Sequence, residues 1–211
     1  MFFEVKQTQK ELFAADFHVM CVGEVVGQMH LEGTLGSMEG KLRGEAFGKE
    51  LRMDYGKGST APDSKEVFRP YKIVLGEGKH GCVYQTSQKE GWFSKIDYHQ
   101  LVLDGVIYNM YPIGFGSEGS KNPIYMGNEQ IALIEKDCVV YNELHQYRIY
   151  IADKEWAMVA LIFAYYMYIN AGYKPGVKVT QSVSKTVSTT TNKKLKQKYV
   201  PVFCNELKDV N

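Results

Sequence analysis

The sequence predicts a mainly β fold: a closed antiparallel β-barrel of about a dozen strands around one buried, hydrophobic C-terminal helix. Two observations lead to this prediction. Residues 2–151 contain many short segments, several with alternating apolar and polar side chains, separated by turn-forming residues, a pattern typical of antiparallel sandwiches and barrels. Residues 156–169 are then apolar, or aromatic with a polar tip, at every position. Because a surface helix has only one apolar stripe, such a helix is expected to be buried on all sides.

The predicted strands follow one another along residues 2–151. Phe2–Thr8 is the first, and a hairpin follows over 17–32. Segments 36–43 and 45–55 are predicted to pair, with Gly44 as the turn between them. The remaining strands are predicted at 71–76, 81–87, 93–103, 106–111, 123–126, 130–135, 138–141 and 146–151.

Three local features qualify this pattern. Asp104-Gly105 is predicted to form a two-residue hairpin turn. The apolar positions change register between Tyr98 and Leu101, which predicts a bulge near His99-Gln100. The polar segment Gly56–Pro70 contains Gly, Ser and Pro and is predicted to be a long loop.

The helix has a predicted start and a predicted end. Asp153 is placed to cap its N-terminus, and Glu155 suits the positive end of the helix dipole. Asn170–Gly172 is predicted to stop it, so that the helix covers about residues 154–171. Its apolar part, residues 156–169, is too short for a bilayer span, which needs about 20 apolar residues. We therefore expect the helix to fill the barrel, because a small barrel needs side chains or a ligand inside.

The chain divides into a barrel domain, residues 1–172, and a basic Ser/Thr/Lys-rich extension, residues 173–211. The extension contains eight lysines against Glu206 and Asp209, although the whole chain has a formal net charge of only +1. Its part 177–191 is predicted to be extended, and Tyr199–Phe203 to be a short strand. The asymmetry suggests an anionic partner, but the near-neutral total argues against nucleic acid.

This order of elements, with Asp153-Lys154-Glu155 before WAMVALIFAYYMYI and glycine-rich early strands such as GEVVGQMHLEG at 23–33, resembles the tubby C-terminal-like superfamily. That group includes tubby-like proteins, LURP-one-related proteins and phospholipid scramblases. The resemblance covers about residues 1–172 and implies a barrel of about a dozen strands around a central hydrophobic helix.

The resemblance has limits that bear on function. Residues 173–211 follow the helix, whereas the family's helix normally lies near the C-terminus. The phosphoinositide-contacting lysine and arginine of tubby proteins match no position here, and no acidic run of the scramblase type precedes the helix. Scramblase activity is therefore not implied.

Most other motifs favour structural roles. Gly114–Gly119 matches GxGxxG, but no helix follows it, so a glycine-rich hairpin loop is expected. Gly76–His80 is likewise expected to be a turn. The spacing of the four cysteines and five histidines is not that of metal ligands. These residues are Cys21, Cys82, Cys138, Cys204, His18, His30, His80, His99 and His145. No catalytic residue, metal or cofactor is predicted. The cysteines are expected to be free thiols.

The lysine cluster Lys193, Lys194, Lys196 and Lys198 is the best candidate site. Flanked by Leu195 and Tyr199, it is placed to bind anionic lipid, each lysine contributing about 1 kcal/mol; the alternative is a solvated tail. A second basic patch includes acidic residues, which favours mutual neutralisation; its members are Lys41, Arg43, Lys49, Arg52, Glu39, Glu45, Glu50 and Asp54.

These inferences predict a non-catalytic tubby-like protein that binds anionic phospholipid or a protein partner at a cytosolic membrane face. The N-terminus MFFEVKQTQ is not typical of a signal peptide, so a cytoplasmic location is expected. One alternative is a small-ligand carrier or enzyme that uses an open barrel end. It is weakened by the expectation that a filled barrel has no cavity. The other alternative is a protein-interaction scaffold.

Overall fold

The computed structural model describes residues 1–33, 40–56, 68–90, 94–172, 176 and 181–203. Strands dominate this part of the chain: β1 (Phe2–Lys10), β2 (Ala14–Cys21), β3 (Glu24–Gly33), β4 (Gly40–Ala46), β5 (Lys49–Tyr55), β6 (Phe68–Leu75), β7 (Lys79–Glu90), β8 (Ser94–Leu103), β9 (Val106–Met110), β10 (Ile113–Gly116), β11 (Ser120–Met126), β12 (Glu129–Lys136), β13 (Val139–Tyr141), β14 (Gln146–Ile151), β15 (Val183–Lys185) and β16 (Ser188–Thr189).

Twelve strands form a closed antiparallel barrel, which confirms the predicted fold class. Strands that follow each other in the chain pair from β1 to β9. β9 then pairs with β11, β11 with β12, β12 with β14, and β14 with β1. In this last pairing Phe3 lies opposite Ile149. Both side chains are fully buried, as expected for alternate positions that face the barrel interior.

The hydrophobic helix follows the last barrel strand. It starts with a 3-10 turn at Lys154–Trp156, continues as α1 (Ala157–Met167), and ends in a wide π-helical turn at Tyr168–Gly172. A carboxylate oxygen of Asp153 accepts a hydrogen bond from the backbone N–H of Glu155 at 3.0 Å, which confirms the predicted cap. Ten of the eleven residues of α1 are buried.

Side chains of α1 and its flanking turns meet different sides of the wall. Tyr165 packs edge-on against Phe17 of β2, with ring centroids 5.4 Å apart, and Tyr166 packs against Tyr71 of β6 at 6.0 Å. Trp156 meets an aromatic ring of β9 at 6.1 Å. The helix is therefore enclosed by the barrel.

The helix runs from one end of the barrel to the other. It begins at the end of the barrel that carries the β8–β9 turn. Ile151, just before the helix, pairs with Ala132 near the start of β12, and β12 starts at that same end of the barrel. It finishes at the opposite end, where β8 begins and β12 stops. We call this second end the open end.

One hairpin turn was predicted correctly and another was wrong. Asp104 and Gly105 have φ angles of 49° and 80° and form the predicted turn. Gly44 lies inside β4, and the turn is instead at Phe47 and Gly48, with φ angles of 53° and 72°. A Cβ atom on Gly44 would lie 2.1 Å from a backbone oxygen of β3, so glycine there permits close strand approach.

The bulge predicted near His99-Gln100 was wrong. β8 pairs with β7 from Ser94 to Leu103 without a register shift. The apolar pattern changes because both faces of β8 are buried. Leu101 faces the barrel interior, whereas Ile96 lies on the other face under Leu195 of the extension.

The described part of the extension packs on the barrel. β16 pairs with β10, β15 pairs with β13, and a short helix, α2 (Lys193–Lys196), follows. The strand predicted at Tyr199–Phe203 was wrong: residues 201–203 form a turn with helical geometry. Tyr199 instead packs on Phe115, with ring centroids 5.2 Å apart.

Parts of several predictions fall on residues that the structure does not describe, including 36–39 and 93 of two predicted strands and 177–180 of the predicted extended segment. Residues 57–67 of the predicted loop lie outside the described ranges, and residues 68–70 begin β6. Cys204 also lies outside them, and Cys21, Cys82 and Cys138 are free thiols.

Enclosure of the helix predicts that truncating a buried side chain lowers the stability of the fold on either of two opposite faces of the helix. Leu161 and Phe163 lie about 200° apart around the helix, and both are fully buried. We expect Leu161→Ala and Phe163→Ala each to lower the free energy of unfolding by about 3 to 5 kcal/mol, because each leaves a cavity. Urea unfolding would measure both. Val106→Ala, at an exposed position, should cost less than about 0.5 kcal/mol. A small effect at either helix position would contradict enclosure.

Candidate functional site

The predicted lysine cluster lies on and just after α2. Lys193, Lys194 and Lys196 are exposed, and Leu195 between them is buried against Ile96 and other apolar side chains. The side chain of Asn192 caps this short helix by accepting a hydrogen bond from the N–H of Leu195 at 3.1 Å. The three lysines therefore project from a segment anchored to the barrel.

The ammonium of Lys196 lies 5.9 Å from the ring centroid of Phe115, and Lys198, which is only partly exposed, contacts two aromatic rings. The Lys198 ammonium nitrogen lies 5.1 Å from the ring centroid of Tyr111 and 5.4 Å from that of Tyr125. Its carbonyl oxygen accepts a hydrogen bond from the Tyr125 hydroxyl at 2.7 Å. Lys198 thus helps to attach the segment to the barrel.

A cavity of about 570 Å³ occupies the open end of the barrel. Its floor includes the end of the helix at Met167, Asn170 and Ala171. Strands β8, β10, β11 and β12 form much of its wall, and the extension forms another side with residues such as Leu195. The expectation that a filled barrel has no cavity was therefore wrong: the helix fills the barrel, and the cavity lies beyond the helix end.

The extension is held across this cavity by backbone hydrogen bonds. The N–H of Thr186 donates to the carbonyl of Cys138 at 2.8 Å, and the N–H of Thr190 donates to the carbonyl of Gly114 at 3.0 Å. The hydroxyl of Thr190 accepts from the N–H of Gly114 at 2.9 Å. A Cβ atom on Gly114 would lie 2.3 Å from the carbonyl oxygen of Ser188, so this close pairing requires glycine.

His99 faces the inside of the barrel beside the cavity. Its ring packs edge-on against Tyr166 of the helix, with centroids 5.0 Å apart. Burial lowers its pKa from 6.5 to about 4, although the nearby Asp97 opposes this shift. The histidine is therefore neutral at pH 7. Its buried Nδ1 atom has no hydrogen-bond partner among the described residues.

Two further polar side chains line the cavity where β11 and β12 pair. Asn122 is fully buried, and its amide nitrogen donates to the carbonyl of Ile134 at 2.9 Å and to the hydroxyl of Ser120 at 3.2 Å. Its Oδ1 atom lacks a partner within the described part of the chain. Lys136 lies across from Ser120 in the strand pair, and burial lowers its pKa to about 8.

Arg69 reaches the cavity through a distortion of β6. The β6–β7 register shifts between Phe68 and Tyr71, and Arg69 has a φ angle of 52°. This conformation is unfavourable for a residue with a Cβ atom. The hydroxyl of Tyr166 donates to the Arg69 carbonyl at 3.0 Å, and the guanidinium donates to the carbonyl of Asn170 at 3.0 Å. Arg69 thereby satisfies a carbonyl at the helix end.

The cavity brings Cys138 and His99 into one lining, but the contacts of Cys138 do not suit a nucleophile. Its thiol donates to the carbonyl of Ser117 at 3.1 Å. A histidine with a pKa near 4 is also a poor general base at pH 7. No group of three or more potential metal ligands was found within the described ranges. The arrangement is suited to binding a ligand.

The other sequence motifs have structural roles. The GxGxxG match forms the β10–β11 hairpin, as predicted, and Gly76–Gly78 forms the β6–β7 turn. In the second basic patch, Arg43 pairs with Asp54, and Arg52 pairs with Glu50 at 3.1 Å, as expected. Glu39 lies outside the described residues.

Sequence reasoning missed His99, Asn122 and Lys136 as a group. A signal was present: each lies two positions from an apolar residue that faces inward, respectively Leu101, Ile124 and Ile134. Polar residues at such positions interrupt the inward apolar rows near the open end. The strand pairing was needed to show that they share a cavity.

Comparisons with known proteins found no matching family model, no matching curated protein and no matching solved structure. Within the described residues, none of the helices is both long enough and apolar enough to cross a bilayer.

The lowered pKa of His99 predicts an acid-sensitive fold. Between pH 6.5 and about 4, the unfolded histidine binds a proton that the folded histidine does not. The free energy of unfolding should therefore fall as pH decreases through this window, by up to about 1.4 kcal/mol per pH unit. Urea unfolding at pH 7, 6 and 5 would measure this slope.

Two variants separate the contribution of His99 from general acid effects. His99→Phe should remove its part of the pH dependence while keeping a ring against Tyr166. His80→Phe, at an exposed position, should keep the full dependence. Equal slopes in His99→Phe and the unmodified protein would show that His99 is not responsible.

Proposed function

We propose that this chain is a non-catalytic binding protein that holds a small ligand in the cavity at the open end of the barrel. The observation that carries the proposal is the cavity itself, about 570 Å³ in volume. Typical pockets for small ligands are roughly 300 to 1,000 Å³. Membership of the tubby C-terminal-like superfamily is part of the proposal, and it is supported by the closed twelve-strand wall around a hydrophobic helix.

The cavity wall has the mixture of groups that ligand sites usually have. Ile113 and Leu195 are buried and apolar, and Met167 adds a flexible thioether. Against these, the Nδ1 atom of His99 and the Oδ1 atom of Asn122 lack hydrogen-bond partners among the described residues. Unsatisfied buried polar atoms are uncommon in native proteins. A bound molecule or its associated water would supply their partners.

The proposal predicts saturable binding of a neutral apolar probe, Nile red. Fluorescence titration should show about one site per chain. Ala171→Trp should reduce the affinity at least tenfold, because Ala171 is an exposed residue of the cavity lining and an indole there would occupy the cavity. Val106→Trp, at an exposed position on the opposite end, should bind as the unmodified protein does. Absence of binding, or equal binding by both variants, would contradict the proposal.

A second function is favoured by the position of the lysines. Lys193, Lys194 and Lys196 are exposed on a segment that Leu195 fixes to the barrel. An ordered basic surface loses less conformational entropy on binding than a free tail. Attraction to an anionic phospholipid surface, at the cytosolic face of a membrane, would then add to ligand binding at the open end.

This second function predicts co-sedimentation with vesicles rich in phosphatidylserine but not with vesicles of phosphatidylcholine alone. Lys193→Ala, Lys194→Ala and Lys196→Ala combined should remove most of the binding, whereas Lys198→Ala should weaken it less, because that ammonium lies over two tyrosine rings. The matched control combines Lys49→Ala, Lys72→Ala and Lys79→Ala, all at exposed positions. If the control weakened binding equally, vesicle binding would depend on the net charge of the protein and not on the position of these lysines. Added salt should also weaken binding.

A further inference from the structure

Lys136 is the one charged residue of the cavity lining for which the described part of the structure shows no oppositely charged or hydrogen-bonding partner. It is the last residue of β12, two positions after the inward-facing Ile134. Its ammonium nitrogen lies 5.5 Å from the ring centroid of Tyr147, which also faces inward. Burial alone accounts for the lowering of its pKa to about 8. At pH 7 it is therefore still mostly protonated.

The acidic groups nearest to Lys136 in sequence are bound elsewhere. Glu135 faces the outside of the barrel, where Lys121 contacts it at 3.0 Å and Arg148 at 3.5 Å. Asp137 is paired with Arg148 at 2.7 Å. Neither carboxylate is therefore available to neutralise the Lys136 ammonium.

The other charged groups around the cavity also have partners. Asp97 pairs with Lys95 at 3.4 Å, both on β8. Arg69 donates to the helix end at Asn170. The other polar residues of β8 and β11 that line this region, such as His99 and Asn122, carry no charge at pH 7. Among the described lining residues, Lys136 therefore carries the one ammonium without a partner.

We infer that the cavity binds an aliphatic monocarboxylate, with its carboxylate on the Nζ atom of Lys136 and its hydrocarbon chain against Ile96, Ile113, Met167 and Leu195. One negative charge matches the single uncompensated ammonium. The apolar side chains suit a hydrocarbon body, and the volume is sufficient for a medium-chain fatty acid. A partly buried charge that lacks a partner is costly, so a carboxylate that pairs with it gains affinity.

This inference rests on the proposed function, and displacement of Nile red tests the two separately. Decanoate, decanol and decylamine share one chain and differ in the head group. Decanoate should displace the probe at a concentration about 10 to 100 times lower than decanol, as expected for a charge-assisted hydrogen bond. Decylamine should be the weakest of the three. Raising the pH from 7 to 9 should weaken decanoate about tenfold, because Lys136 loses its proton near pH 8, and should leave decanol unchanged.

Variants at two lysines complete the test. Lys136→Met keeps the length of the side chain and should make decanoate and decanol equal, whereas Lys136→Arg should retain part of the preference. Lys49→Met, at an exposed position outside the cavity lining, should keep it in full. If Nile red binds but decanoate and decanol are equal in the unmodified protein, the carboxylate inference is wrong and the binding cavity stands. If Nile red does not bind, the proposed function itself fails.

Discussion

Burial of one apolar helix inside a closed wall is the constraint on which the rest of this structure depends. Α helix that is apolar on every face has no favourable exposure to water, so it must be surrounded. A ring of strands can surround it only if the first and last strands pair. Here β1 pairs with β14, which immediately precedes the helix. Closure of the wall and insertion of the helix are thus coupled, because β14, which completes the ring of strands, also leads directly into the helix.

The size of the helix relative to the barrel explains where a binding site is possible. Most of the interior is filled by the helix and by inward side chains such as Phe17 and Leu42. Within the described part of the chain, the cavity lies beyond the helix end, where the extension forms an additional wall. The same extension buries Ile96 on the outer face of β8 through Leu195. It thus contributes to the barrel's outer packing and to the cavity at once.

The sequence was sufficient for the barrel, the helix limits and the Asp104-Gly105 turn, because period-two alternation, a uniformly apolar segment and turn chemistry are local signals. It was insufficient where distant residues share an environment. Ile96 and Tyr98 appeared out of register because the outer face of β8 is covered as well, by Leu195 of the extension and by Tyr111. Gly44 resembled a turn because close strand approach and tight turns both require glycine. The cavity depends on the docking of the extension across the barrel end, for example Thr190 on Gly114, which no local pattern specifies.

Lys136 shows how the open end differs physically from the rest of the interior. Two positions earlier on the same face, Ile134 is fully buried in the core. An apolar residue at position 136 would continue that row and would avoid the desolvation that lowers the lysine pKa to about 8. The amine is therefore unfavourable for the folded state on its own, and the described residues offer it no carboxylate in return. Stability alone does not explain it, whereas an anionic ligand would convert the same desolvated charge into binding affinity.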